Sequence, residues 1–180
     1  MELPMETKFT KPLADVAVTA DGTHVQGYAS LWGAEDQGGD IVEKGAYGAS
    51  LCRLVARDET VKMLWQHDPA QPIGIWDEVR EDARGLWVKG RILPDVERGR
   101  EAAALVRAGA IDGLSIGYRT IRATKDAQGR RRLHELELWE VSLVTFPMLR
   151  EARLASKGAD LALLHEMTAA VATARARLMG

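Results

Sequence analysis

A single cysteine, Cys52, stands in 180 residues, so no internal disulfide framework can staple this chain; a reducing compartment suits such a sequence. Histidine is scarce as well. Four dispersed histidines and one cysteine lack the close ligand pairs that zinc sites use, and neither a metal nor a cofactor is expected. No apolar run approaches the roughly 20 residues of a membrane span, and Met1-Glu2-Leu3-Pro4 does not read as a secretory signal. Positive charge is not in surplus. With a formal net charge of −2 and scattered basic residues, no nucleic-acid footprint and no membrane contact are expected. Internal repeats and low-complexity segments are missing too. What is present is a 46% apolar chain, enough for a real core. The reading is a soluble intracellular domain over residues 1–155 with a helical tail over 156–180.

Taken in order, residues 1–12 are polar with two prolines and read as a frayed arm. Strand-like runs at 16–19 and 24–32 flank Asp21-Gly22, a hairpin turn signal, which leaves His24 as a solvated edge histidine. Asp36-Gln37-Gly38-Gly39-Asp40 reads as a loop whose aspartates make local hydrogen bonds rather than hold a metal. Residues 46–57 suggest a short helix with Leu51, Leu54 and Val55 inward and Cys52 as a small packing residue. Residues 61–67 alternate, so Val61, Met63, Trp65 and His67 share a face until Asp68-Pro69 ends the strand. A hairpin is expected from 73–79 and 86–93 around a charged turn, with Trp76 and Trp87 as sheet packing. Asp95 is expected to cap a helix that runs to Ala108 and stops at Gly109. Residues 118–123 and 132–144 form a second hairpin, and the trio Arg130-Arg131-Arg132 reads as its solvated tip. The tail from Gly158 carries Leu161, Leu164, Met167, Val171, Ala174 and Leu178 on one helical stripe, which folds back on the domain or docks on a partner.

Three residues stand out against this background. Ser115 lies in Gly113-Leu114-Ser115-Ile116-Gly117-Tyr118, where small residues leave room for close approach; the bland alternative is a buried serine at a helix-to-strand junction. His67 ends an apolar strand face, where it is either half shielded beside a ligand or a core histidine bonded to backbone. Glu140 falls among leucines and a valine on the face of His134, Leu136, Leu138, Ser142 and Val144, whereas Glu135 and Glu137 share the other face with Leu133 and Trp139. An ionised carboxylate taken out of water costs several kcal/mol unless something pairs with it. Glu140 therefore needs a partner, a histidine or else an arginine.

Acyl transfer by serine needs a hydroxyl, a base, a group that orients the base and donors for the oxyanion. His67, Ser115 and Glu140 suit the first three roles. Gly113-Leu114-Ser115-Ile116-Gly117 also matches the nucleophile elbow of α/β-hydrolases in form, but that elbow needs a strand before the serine, a helix after it and a later histidine. Here a helix precedes and a strand follows, and His134 and His165 are poorly placed as bases. The elbow reading fails on context.

The segments Lys62-Met63-Leu64-Trp65-Gln66-His67-Asp68-Pro69, Gly113-Leu114-Ser115-Ile116-Gly117-Tyr118 and Trp139-Glu140-Val141-Ser142-Leu143-Val144-Thr145-Phe146-Pro147 resemble three signature blocks of the HK97-type phage prohead (capsid maturation) serine proteases. Asp36-Gln37-Gly38-Gly39-Asp40-Ile41-Val42 with Gly45-Ala46-Tyr47 resembles the block before that family's first helix. The resemblance implies a mainly β fold, an antiparallel β-barrel surrounded by a few helices and related to herpesvirus assemblins, with a C-terminal helix. It implies a serine endopeptidase with Ser115 as nucleophile, His67 as general base and Glu140 as third member. After Pro147 the chain departs from the family, since Met148-Leu149-Arg150 stands where small residues and an asparagine are usual. By distance past the third member in the assemblin relatives, backbone N–H groups near Leu149 and Arg150 would serve the oxyanion. The implied partners are the major capsid protein or a scaffold protein, met inside the immature capsid in the bacterial cytoplasm, often with self-cleavage, and a homodimer is an admissible assembly. The rival readings are a non-catalytic scaffold or capsid-binding barrel and a small esterase.

Overall fold

The computed structural model describes residues 6–9, 17–18, 22–36 and 38–146, the first two segments by their backbone. The expected tail helix over 156–180, His165, Leu149 and Arg150 lie outside the described residues. The described chain runs through β1 (Glu6–Phe9), β2 (Ala17–Val18), β3 (His24–Leu31), β4 (Asp40–Val42), α1 (Gly48–Ala56), β5 (Lys62–Trp65), β6 (Asp68–Glu81), β7 (Gly85–Ile92), α2 (Glu97–Arg107), β8 (Gly113–Lys125) and β9 (Arg131–Val144).

These strands join one curled sheet in the order β1-β8-β9-β5-β6-β7-β3-β2, with β4 pairing β9 off that path. The curl brings β1 and β8 against β3 and makes a half-barrel. It is a mixed sheet. β9 runs antiparallel to β8 but parallel to both β4 and β5, so the expected all-antiparallel barrel is corrected. The reason is α1: it carries the chain from β4 over to β5, and a crossover of that kind sets strands running the same way. β4 lies along the start of β9 at Arg131–Leu133 and β5 along its end at Glu140–Leu143.

Burial follows the two periodicities of the chain. In β7, Leu86, Val88, Gly90 and Ile92 turn inward at every second residue. The end of β9 breaks that rule, since every residue from Glu140 to Val144 is buried, as befits a strand paired on both edges and covered on both faces. The core joins Val25, Ala29, Met63, Ile73, Trp76 and Val88 to Ile116, Leu136 and Val141. Trp76 sits within it and donates its indole N–H to the Val141 carbonyl at 3.1 Å. Trp87 meets Tyr28 edge to face at 5.0 Å, so both tryptophans are sheet packing. Gly22 turns between β2 and β3 at φ +74°, where a Cβ would stand 2.4 Å from the Ala103 carbonyl of α2.

Several local expectations change. Residues 6–9 form β1, paired with β8, instead of a frayed arm. Ser115 lies inside β8, not at a junction ahead of it. β5 ends at Trp65, and Asp68-Pro69 opens the next strand rather than closing this one. The inward stripe of α1 is Tyr47, Ser50, Leu51 and Leu54, because Ser50 accepts the Leu138 N–H at 2.9 Å and sets the helix phase. That phase leaves Val55 81% exposed and Cys52 on the surface, against the packing roles expected for them. The N-cap of α2 is Val96 rather than Asp95, while Gly109 stops the helix at φ +72° as expected. Leu133, read with the polar face of its strand, is fully buried, because irregularities in the β8–β9 pairing shift the alternation.

Other sequence readings hold. His24 is exposed with its ring beside the Thr23 hydroxyl. Asp36 Oδ1 accepts the N–H groups of Gly38 and Asp40, which is loop chemistry. Arg130 and Arg132 pair with Asp126, Glu35 and Glu43, so the hairpin tip is charge-matched.

Candidate active site

β9 is the strand on which the site assembles. Its one edge meets β8 with Ser115 opposite Ser142 and Gly117 opposite Glu140. Its other edge meets β5 with Lys62 beside Glu140 and Leu64 beside Ser142. Glu140 and Ser142 are two residues apart and therefore share a face, the one toward which the chain returns after β5.

That return is a two-residue hairpin. Trp65 pairs with Asp68, so Gln66 and His67 alone form the loop, and both take the left-handed conformation at φ +52° and +63°. Positive φ at both positions belongs to the tight hairpin turn that normally selects Asn-Gly. Held by Gln-His, it costs roughly 1–3 kcal/mol per residue. The end of β9 offsets that cost with hydrogen bonds. The Gln66 N–H donates to the Leu143 carbonyl at 3.0 Å, and the His67 N–H donates to Ser142 Oγ at 3.1 Å. The Gln66 amide donates to Thr145 Oγ1 at 2.5 Å and accepts the Thr145 N–H at 3.3 Å. At about 1 kcal/mol net each, such bonds match the strain they hold.

From this turn the imidazole reaches back across β9. His67 Nδ1 lies 2.5 Å from Glu140 Oε1 and Nε2 lies 2.6 Å from Ser115 Oγ. An ionised carboxylate only accepts, so Nδ1 carries the ring proton and Nε2 presents a lone pair to the serine hydroxyl. Ser142 Oγ donates to the second oxygen, Glu140 Oε2, at 2.6 Å. Glu140 is 2% exposed and Ser115 has no exposed surface. The partner that lets Glu140 stay buried is an imidazole with a hydroxyl beside it, not an arginine. Leu138, Val141 and Leu143 are buried alongside it; each contributes about 1.5–3 kcal/mol, enough to carry the desolvation that Glu140 retains.

The structure thus brings together His67, Ser115 and Glu140, residues separated by 48 and 25 positions in the chain. Such a chain of hydroxyl, imidazole and carboxylate can take a proton from the serine and hold it on the ring. His134 stands apart, its Nε2 on Thr124 Oγ1 at 2.8 Å. Two contributors escape the sequence reading. Ser142 was visible only as a polar residue two positions past Glu140. Gly117 makes room: a Cβ there would stand 2.1 Å from Glu140 Oε1.

Proteins of related sequence and fold are known. The chain is 30% identical over 147 residues to the prohead protease of Enterobacteria phage HK97, a match covering 79% of this chain and 64% of that relative's length. It is 31% identical over 104 residues to the capsid polyprotein of Pseudomonas phage PAJU2, covering 53% of this chain and 15% of the polyprotein. Its fold is similar to that of the bacteriophage T4 capsid assembly protease, with a TM-score of 0.63, 16% identity, and coverage of 79% of this chain and 98% of the other. A sequence model of the caudovirus prohead serine proteases matches residues 11–166, and the chain belongs to that family.

Proposed function

We propose that this chain is a serine endopeptidase that cuts the major capsid protein or its scaffold during prohead maturation, within the bacterial host. One observation carries the reading: the imidazole of His67 spans Ser115 and Glu140 at 2.6 and 2.5 Å. In the first step His67 Nε2 takes the hydroxyl proton as Ser115 Oγ bonds to the scissile carbonyl carbon. Glu140 keeps Nδ1–H in place and stabilises the imidazolium that forms. The imidazolium then protonates the leaving amine as the C–N bond breaks, which leaves an ester on Ser115. Water, deprotonated by the same ring, attacks that ester and releases the acid product. By the resemblance to the assemblins, backbone N–H groups near Leu149 and Arg150, a similar number of residues past Glu140, would serve the oxyanion. Because Ser115 is fully covered, its Oγ has to be uncovered before a peptide carbonyl arrives.

The capsid protein as substrate is supported by the family and by the likeness to a capsid polyprotein. Self-cleavage, a 1–155 protease unit with a separable 156–180 tail, and an assemblin-like barrel completed around the half-barrel belong to the same reading. The test is co-expression with the major capsid protein of the same genome, followed by intact-mass measurement. Wild type should yield a shortened capsid protein and Ser115→Ala the full-length one. Equal masses in both arms would exclude the assignment.

A further inference from the structure

We propose that Ser142 is a positioning residue of this site: its hydroxyl ties the Glu140 carboxylate to the backbone of the His67 turn, so that carboxylate and imidazole are held as one unit. The inference rests on the serine protease reading and extends it to a fourth side chain.

The observations converge on one oxygen. Ser142 Oγ donates to Glu140 Oε2 at 2.6 Å and accepts the His67 N–H at 3.1 Å. Since Oε1 of the same carboxylate holds His67 Nδ1, the three residues close a ring of hydrogen bonds from the His67 backbone through Ser142 and Glu140 to the His67 side chain. Each contact fixes a freedom the others leave open. A carboxylate held at one oxygen still rotates about its last bond; held at both, it does not. A turn with positive φ at Gln66 and His67 relaxes unless its N–H groups are occupied. Ser142 has no exposed surface, so water is not on hand to replace its hydroxyl. Its register completes the case. Opposite Ser115 on one edge and beside Leu64 on the other, it stands where β8, which bears the nucleophile, and β5, which leads into the turn that bears the base, are both joined to β9.

A serine retained only for packing would tolerate loss of its oxygen, whereas a positioning hydroxyl would not. Two variants separate these cases. Ser142→Ala deletes the oxygen and adds nothing; Ser142→Thr keeps the hydroxyl on a strand-favouring residue. Full-length wild type and both variants, each checked for a cooperative thermal transition, are treated with a fluorophosphonate over pH 5–9, and the second-order inactivation rate is recorded. The downfield proton resonance of the hydrogen-bonded His67 Nδ1–H is recorded on the same samples. The expected result is a roughly tenfold or greater loss of rate in Ser142→Ala, with loss or displacement of the Nδ1–H resonance, and a Ser142→Thr variant closer to wild type in both. A folded Ser142→Ala protein with the wild-type rate and an unmoved resonance would overturn the proposal. If wild type itself is not inactivated, the protease reading fails. The resonance still decides whether Ser142 holds the pair, because it needs no turnover.

Discussion

Gly117 stands directly across the β8–β9 pair from Glu140, and the space its missing side chain leaves is filled by the Glu140 carboxylate. An added Cβ would fall 2.1 Å from Oε1 and 2.8 Å from Cδ, so the carboxylate would have to move aside, by about 1 Å. Gly117→Ala should therefore leave a folded protein, destabilised by about 1–3 kcal/mol through overpacking. A misplacement near 1 Å is expected to lower the processing rate by about 10²-fold. Urea titration and a capsid-processing time course measure the two effects, and an unchanged rate would mean that Glu140 need not sit where it does.

Glu140→Gln tests the direction of the proton rather than its position. The carboxamide is nearly the same size, but it can turn its NH₂ toward Nδ1 and force the ring proton onto Nε2. Ser115 would then face a donor instead of a base. The expected loss is about 10⁴-fold in kcat with little change in KM. A variant within tenfold of wild type would show that the tautomer is set elsewhere.

Trp76 reaches the site through the backbone, since its indole N–H is bonded to the carbonyl of Val141, the residue between Glu140 and Ser142. Trp76→Phe removes that donor from a buried position. A loss of about 1–3 kcal/mol in unfolding free energy is expected, read from the denaturant midpoint. No loss would mean that the bond contributes nothing net.

Asp82 gives the fold a defined acid dependence. Burial works against its carboxylate, yet the N–H groups of Arg84 and Gly85, the Tyr28 hydroxyl and the Arg80 guanidinium outweigh it and hold the group down at about 2, against an ordinary 3.8. A carboxyl depressed in the folded state contributes stability that is full above its unfolded value and is lost as pH falls through the folded one. The stability difference between wild type and Asp82→Asn should therefore be constant above pH 4 and shrink between about pH 4 and 2. A difference that does not change across that window would contradict the account.

How much of this was legible in the sequence depends on whether the signal was local. Glu140 declares itself because period-two alternation places a carboxylate on an apolar face, and Leu136, Leu138, Glu140, Ser142 and Val144 are all buried. Gly109 declared itself as a helix stop for an equally local reason. The turn at Gln66-His67 did not, because the residues that favour it, asparagine and glycine, are absent; tertiary hydrogen bonds from Leu143, Ser142 and Thr145 impose it instead. The two glycines that flank Ser115 point to a junction outside a strand, yet it lies within β8. Gly117 is small to admit Glu140, not to break the strand. The parallel pairing of β5 with β9 joins residues nearly 80 positions apart, and alternation says which face a residue takes but not which way its neighbour runs.

The central claim is that Ser115 is a nucleophile activated by His67, and chemical trapping tests it most directly. Full-length wild type, Ser115→Ala and His67→Ala are incubated with a serine-directed phosphonate, and adducts are located by peptide mapping in a mass spectrometer. The account predicts one adduct, on Ser115, in wild type, none in Ser115→Ala, and labelling slowed at least about 10³-fold in His67→Ala. A wild-type protein unlabelled at Ser115, or labelled there equally fast without the imidazole, would contradict it.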